Sequence, residues 1–304
     1  MKLGVFDQVV DKWLNNLEQR PVLAVAVSSL WLLLIGWIAF GWNLGNVGLI
    51  DETEPLFAEA SRQMFITGDW ITPFFNGETR FDKPALIYWC QAIAYAIVGV
   101  NEWAARIPSA LAAMGVIALA FYTVQWSLAK KDELEKVSNL PRRYFTAAIA
   151  AALMALNPEM IVWARAGVSD MLLNGCIGST LLCFFLGYAQ NNSPIVIAKW
   201  QLPNKWYLAC YVLIAGAILT KGPVGIVLPG LIMIAFALYV GKFWELWREI
   251  VLFSRFDFLT MPPCTAYSLS KQLRISISEG GLRKGSNKQE VFAIFPNKPK
   301  GNSS

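Results

Sequence analysis

The sequence predicts an all-α protein that crosses a membrane several times, and three observations lead there. Hydrophobic residues fill 56% of the 304 positions and charged residues only 15%, against about 25% charged in ordinary soluble domains. A soluble chain of this length needs more polar surface to cover its core. Mean hydropathy is +0.44, and there are thirteen tryptophans. The apolar residues also come in runs near the ~20 residues that a helix needs to cross a bilayer, with short basic clusters between them. The net charge of +5 therefore reads as a set of topology signals and excludes a nucleic-acid partner.

Residues 1–20 mix acids and bases and are read as a cytoplasmic N-terminus. The first run, Pro21–Trp42, is followed by no small-residue cleavage site, so it is a retained span and not a removed signal peptide. Ile107–Ala129, Tyr144–Ala164 and Met171–Ala189 follow as full-length runs. Trp206–Thr220 is shorter, and Gly222–Val240 brings the number of spans to six. Residues 21–254 thus form the transmembrane module.

Lys83–Gly99 reads two ways. Its apolar part is ~24 Å long as a helix, against a hydrocarbon core of ~30 Å. If it crosses, Lys130–Arg143 falls opposite the N-terminus. If it lies along the interface, four basic stretches share one side: the N-terminus, Lys130–Arg143, Lys199–Lys205 and Lys242–Arg248. The positive-inside rule favours the second arrangement, and Tyr88, Trp89, Tyr95 and Trp103 suit an interfacial position. Residues 43–106, the turn Arg165–Asp170 and Thr220–Pro223 then face the non-cytoplasmic side. The long loop 43–106 carries eight acids against four bases, a net charge of −4.

From residue 255 to 304 the helical pattern stops. Ser, Lys, Gly and Asn dominate there, and the segment reads as a divergent, disordered tail of the kind that a frameshift or early end leaves. Five cysteines without C-x-x-C spacing, and no histidine, argue against a zinc or redox centre. The cysteines read as buried apolar side chains.

Four charged clusters fall on the non-cytoplasmic side. In "DETEPLFAE", Asp51 as N-cap and Glu54 at the third helical position make a capping-box arrangement, and extra acids suit the helix dipole. Asp51 also sits where a span ends, a position at which ionisable groups are often functional. In "RFDKPALIYW", Asp82 and Lys83 precede Pro84 at a helix start. They read either as a cap and an anchor, or as an acceptor-steering or metal-binding acid beside an ammonium at phosphate level. In "WARAGVSD", Arg165 and Asp170 either neutralise each other or serve a site. In "TKGPVG", Lys221 ends a span at a Gly-Pro break, as a snorkelling lysine or as part of a site. Together the clusters suit a reaction in which a carboxylate takes a proton while cations hold a phosphate leaving group.

The stretches "DETEPLFAEASRQMFITGDWITPFFNGETRFDKPALIYW", "NEWAARIPSAL", "WARAGVSDMLL" and "LTKGPVGIVLP" occur in that order. Together they resemble the family 39 glycosyltransferases, GT-C-fold enzymes that include the lipid A aminoarabinose transferases and the protein O-mannosyltransferases. The resemblance covers about residues 20–250, the N-terminal half of that fold. It implies a GT-C-like bundle with juxtamembrane helices in the first extracytoplasmic loop, an integral inner-membrane location, a polyprenyl-phosphate sugar donor, and inverting transfer to a lipid or protein acceptor. It also implies roles: Asp51 as general base or acceptor-orienting acid, Asp170 as the second acidic site, and Lys83 with Lys221 on the donor phosphate. Arg165 and Glu52 carry over more weakly, and Asp82 belongs to the acidic-Lys-Pro motif. If a divalent cation takes part, oxygen ligands and the lack of histidine favour Mg²⁺ or Mn²⁺. Where lipid A transferases read D-E-x-R-Y-A-E, this chain has Glu54, Pro55, Leu56 and Phe57, without the basic and tyrosyl residues. The alternatives are a transporter or lipid-binding module, which predicts acids inside spans and finds only Glu159 near a helix end, and an inactive half-enzyme.

Overall fold

The computed structural model describes residues 21–49, 53–135, 140–190, 195–197, 200–202, 204–241 and 244. Asp51, Glu52, residues 1–20 and the tail 255–304 lie outside them. The described chain is a helical membrane bundle with two small hairpins. In order, the helices are α1 (Pro21–Gly36), continued by a π-helical turn at Trp37–Gly41, α2 (Thr53–Thr67), α3 (Leu86–Val98) and α4 (Glu102–Glu135). There follow α5 (Leu140–Ala155), α6 (Pro158–Ala164), α7 (Ser169–Gln190), α8 (Lys205–Lys221) and α9 (Val224–Val240).

By length and composition Val22–Gly41, α4 and α7 are long and apolar enough to cross a membrane, and α5 and α6 meet the same criteria only when taken together, bent by 66° at the break between them. The bend has a local cause. Asn157 caps α6 by accepting from the backbone N–H groups of Glu159 and Met160, and Pro158 takes the first helical position, where its fixed φ and missing N–H start a new helix. Helices α8 and α9, of 17 residues each, occupy the last two expected spans. Between them Gly222 adopts φ +70°, a conformation that only glycine takes without strain.

Helix α3 has 13 residues, about 20 Å of helix, too short to cross. With α2 it forms the juxtamembrane layer expected for the first loop. Two features differ from the sequence reading. Helix α4 runs on to Glu135, into the basic segment expected as a loop, because Lys130–Glu133 and Lys131–Glu135 pairs line its exposed end and favour continued helix. Two antiparallel hairpins also interrupt the all-α pattern: Phe74–Phe75 (β1) with Glu78–Thr79 (β2), and Ile195–Ile197 (β3) with Trp200–Leu202 (β4). The first turns on Asn76-Gly77, both at positive φ, the dipeptide preferred for such turns.

Small residues let the helices approach closely, as in other membrane bundles. Ala113 and Val116 of α4, Ala155 of α5, Ala164 of α6 and Met171 of α7 meet Ile35 and Phe40 of the first span in one core. A second core joins α2 and α3 through Phe57, Met64, Ile87 and Tyr88 to Val168 before α7. A third holds α7, α8 and α9 through Phe184, Tyr207 and Met233. The second core fixes the juxtamembrane layer over the turn that leads into α7.

Candidate active site

The most connected polar group is Arg106, near the start of α4. Its five N–H groups all find acceptors. Nε and Nη2 grip the Glu54 carboxylate at 2.7 and 2.9 Å; the remaining N–H groups donate to the carbonyls of Leu44, Val47 and Gly48 at 2.7, 2.8 and 3.0 Å. Both side chains are about 95% buried. Glu54 Oε1 also accepts from the Gly167 N–H at 2.7 Å. Gln91 of α3 donates to the carbonyls of Gly167 and Ala105, each at 2.9 Å, and accepts from the Ser61 hydroxyl at 2.7 Å. One buried network thus ties α2, α3, α4, the 44–48 segment and the 165–168 turn.

The expected Asp51–Glu54 capping box involves Asp51, outside the described residues, and Glu54 has a second engagement that the sequence did not show. Its carboxylate is bound to Arg106, 52 residues away, because a buried charge needs a paired, hydrogen-bonded partner. The 44–48 carbonyls held by Arg106 lead directly into the segment that carries Asp51 and Glu52.

The second grouping joins Asp170 and Lys221. Asp170 lies in the first turn of α7 and Lys221 in the last turn of α8, the charge placements that each helix dipole favours. The two helices pack side by side, and Lys221 Nζ donates to Asp170 Oδ1. Neither group is fully buried, so the ammonium remains open to an anion. The self-neutralising Arg165–Asp170 pair does not form. Arg165 instead donates to the Trp42 carbonyl at 2.9 Å, because its turn packs against the end of the first span and Asp170 faces α8.

In the 80–84 segment Asp82 is exposed and accepts from Arg80 at 3.1 Å. It does not cap α3, whose N-cap is Ala85 without a side-chain bond. Lys83 is half-buried and forms no ion pair with a described residue. Its helix abuts α8: a side chain on Gly216 would meet Cys176 and Leu86. Lys83 thus precedes by one turn the point where α3 meets the Lys221 helix. Behind this segment Tyr88 is fully buried with no hydroxyl partner among the described residues. Burial pushes its hydroxyl up to about 12, with the nearby charges of Arg80 and Asp82 acting in opposite directions.

Among the described residues no three His, Cys, Asp or Glu side chains gather as a metal set. Asp82 is paired with Arg80 and Asp170 with Lys221, while Glu52 lies outside the described residues.

The described residues thus form a helical membrane bundle with a juxtamembrane layer, with acids and lysines at its helix ends. The profile of the dolichyl-phosphate-mannose-protein mannosyltransferases matches residues 30–276, and the chain belongs to that family. The match runs past residue 255, into the segment that the sequence pattern sets apart. Among similar proteins is the undecaprenyl phosphate-alpha-4-amino-4-deoxy-L-arabinose arabinosyl transferase 2 of Pseudomonas fluorescens (strain Pf0-1). It is 27% identical over 232 residues, which is 73% of this chain and 36% of that protein. The corresponding transferase of Shewanella sediminis is 26% identical over 78% of this chain and 38% of its own length. The crystal structure of ArnT from Cupriavidus metallidurans bound to undecaprenyl phosphate superposes with a TM-score of 0.54 at 27% identity, covering 85% of this chain and 42% of that one. The chain spans less than half the length of these relatives.

Proposed function

We propose that this protein is an inverting glycosyltransferase that moves a sugar from a polyprenyl phosphate to a lipid or protein acceptor. The relatives named for undecaprenyl phosphate-linked arabinosyl transfer support that donor class. The observation that carries the reading is the Asp170–Lys221 pair, an incompletely buried ammonium held at the edge of the juxtamembrane layer, where a lipid phosphate lies. The distribution of the four basic stretches supports an extracytoplasmic orientation of this face by the positive-inside rule, and an inner-membrane location belongs to the same proposal.

In the reaction the acceptor hydroxyl oxygen bonds to the anomeric carbon as the bond from that carbon to the phosphate oxygen breaks. The acceptor proton goes to the Asp51 carboxylate, and the bonding electrons leave with the polyprenyl phosphate. Lys83 and Lys221 stabilise the charge that grows on the departing phosphate, with Arg165 nearby. Asp170 keeps Lys221 in place, and Glu52 and Asp82 are placed to orient the acceptor. Charge stabilisation of this kind is commonly worth about 10²–10³ in rate.

The test is donor consumption by membranes carrying the protein and a polyprenyl-phosphate sugar. Lys221→Ala and Lys83→Ala should each slow it by about 10²-fold without reducing the amount of folded protein. Undiminished turnover in both variants would contradict the assignment of the phosphate site.

A further inference from the structure

Beside Asp170 lies a cavity of about 530 Å³, within the ~300–1,000 Å³ range of small-molecule sites. The phosphate chemistry above does not account for it. It exists because the α5–α6 span breaks: the Asn157-Pro158 start of α6 turns the helix by 66° and leaves a wedge against α7. Four polar side chains line it, Asn157 and Glu159 from the break and Asp170 and Asn174, one turn apart, from α7. The indole of Trp163 and the side chains of Met154 and Met160 supply the apolar part.

The lining is selective in chemical terms. Asn157 uses its carbonyl oxygen on the α6 backbone, which leaves its amide N–H groups to donate. Glu159 and Asn174 have no side-chain partner among the described residues. A purely apolar ligand would strand these groups, at a cost for every one desolvated. A free phosphate would face two carboxylates. Hydroxyl groups, which donate and accept at once, match two carboxylates and two carboxamides, while the C–H face of a sugar ring suits the indole.

The position is as specific as the chemistry. Asp170 both lines the cavity and binds Lys221, so the cavity adjoins the ammonium proposed to hold the donor phosphate. Leu153, Leu156 and Val162, next to the lining residues in sequence, are 70%, 53% and 62% exposed.

We propose that this cavity is a sugar-binding subsite for a lipid-linked glycosyl unit, read by Glu159 and Asn174 and stacked on Trp163. The proposal rests on the transferase reading above. Two lipids carry such a ring, the phosphate-linked donor and a glycolipid acceptor.

The experiment measures dissociation constants for the full chain in lipid nanodiscs with two pairs of ligands. One pair is undecaprenyl phosphate with and without a glucosyl group; the other is diacylglycerol with and without a glucosyl group. The parent protein should bind one sugar-bearing member about tenfold tighter than its partner, the worth of one or two hydrogen bonds. A gain in the phosphate pair assigns the cavity to the donor sugar, and a gain in the glycerolipid pair to an acceptor. The double variant Glu159→Gln/Asn174→Ala should lose that gain and keep the affinity for undecaprenyl phosphate; Trp163→Ala should lose it too, and Trp163→Phe restore it. No gain in either pair, or a gain that survives both the double variant and Trp163→Ala, overturns the sugar subsite. Failure of the parent to bind undecaprenyl phosphate would count against the transferase reading instead, with the glycerolipid pair still deciding the cavity.

Discussion

Arg106 and Glu54 are the residues on which most of the local order converges. Losing either leaves its partner charged and buried, which costs about 3–5 kcal/mol. Arg106→Ala should therefore lower the unfolding midpoint sharply in detergent, whereas exposed Lys131→Ala should leave it almost unchanged. Equal midpoints for the two variants would remove the network from the account. Glu59 gives a pH-dependent test. Burial pushes its carboxyl up, but hydrogen bonds from Arg62 and Gln63 and the Arg62 charge outweigh that and hold it below the usual range. A carboxyl lowered on folding stabilises above its unfolded value of about 4.3, and that contribution is lost as pH falls through the lower folded value. Parent and Glu59→Gln should thus differ in unfolding midpoint at pH 7 and converge as pH drops below about 4. At this scale the sequence was only partly legible. Asp170 and Lys221 stood out as charges at span ends, but nothing local said that they pair with each other. Glu54 read only as a cap, because its buried partner Arg106 lies 52 residues away, a contact that only tertiary packing creates.

Helix packing carries its own prediction. A Cβ at Gly225 would sit 2.3–2.6 Å from the backbone of Ala217 and Ile218, whereas one at Gly230 would meet nothing within 4 Å. Gly225→Ala should force α8 and α9 apart and destabilise by about 1–3 kcal/mol or more. Gly230→Ala should be neutral or stabilising by up to about 1 kcal/mol. Thermal unfolding of both variants checks the close α8–α9 crossing, and matching midpoints would contradict it. Hydropathy made the six long elements legible, because lipid demands continuous apolar helix. The length of α3 left it ambiguous, and the placement of the basic stretches favoured the interface. The 66° break was less visible, since Asn-Pro marks a helix boundary but not the angle that packing then sets. The run-on of α4 was masked by charges that pair along one helix face. The Asn76-Gly77 hairpin carried a readable turn signal, unused because the surrounding residues are not strand-patterned.

For the whole molecule, the account is a membrane bundle whose first loop folds back as two juxtamembrane helices and brings distant charges to one face. The order of the four motifs, more than any one of them, carried the family into view. The sugar cavity was not legible, since Asn157, Glu159 and Asn174 become neighbours only through the bent span. Asp51 follows in sequence the 44–48 segment that Arg106 clamps, and its role as the proton-accepting carboxylate is the central claim. The most direct test supplies a polyprenyl-phosphate sugar and an acceptor lipid extract to membranes carrying the parent or the Asp51→Asn variant, then follows donor loss. The account predicts steady donor consumption by the parent and a drop of about 10²-fold or more in the variant, the scale of a lost general base, with equal amounts of folded protein. Equal turnover by the two proteins, or none by the parent, would contradict it.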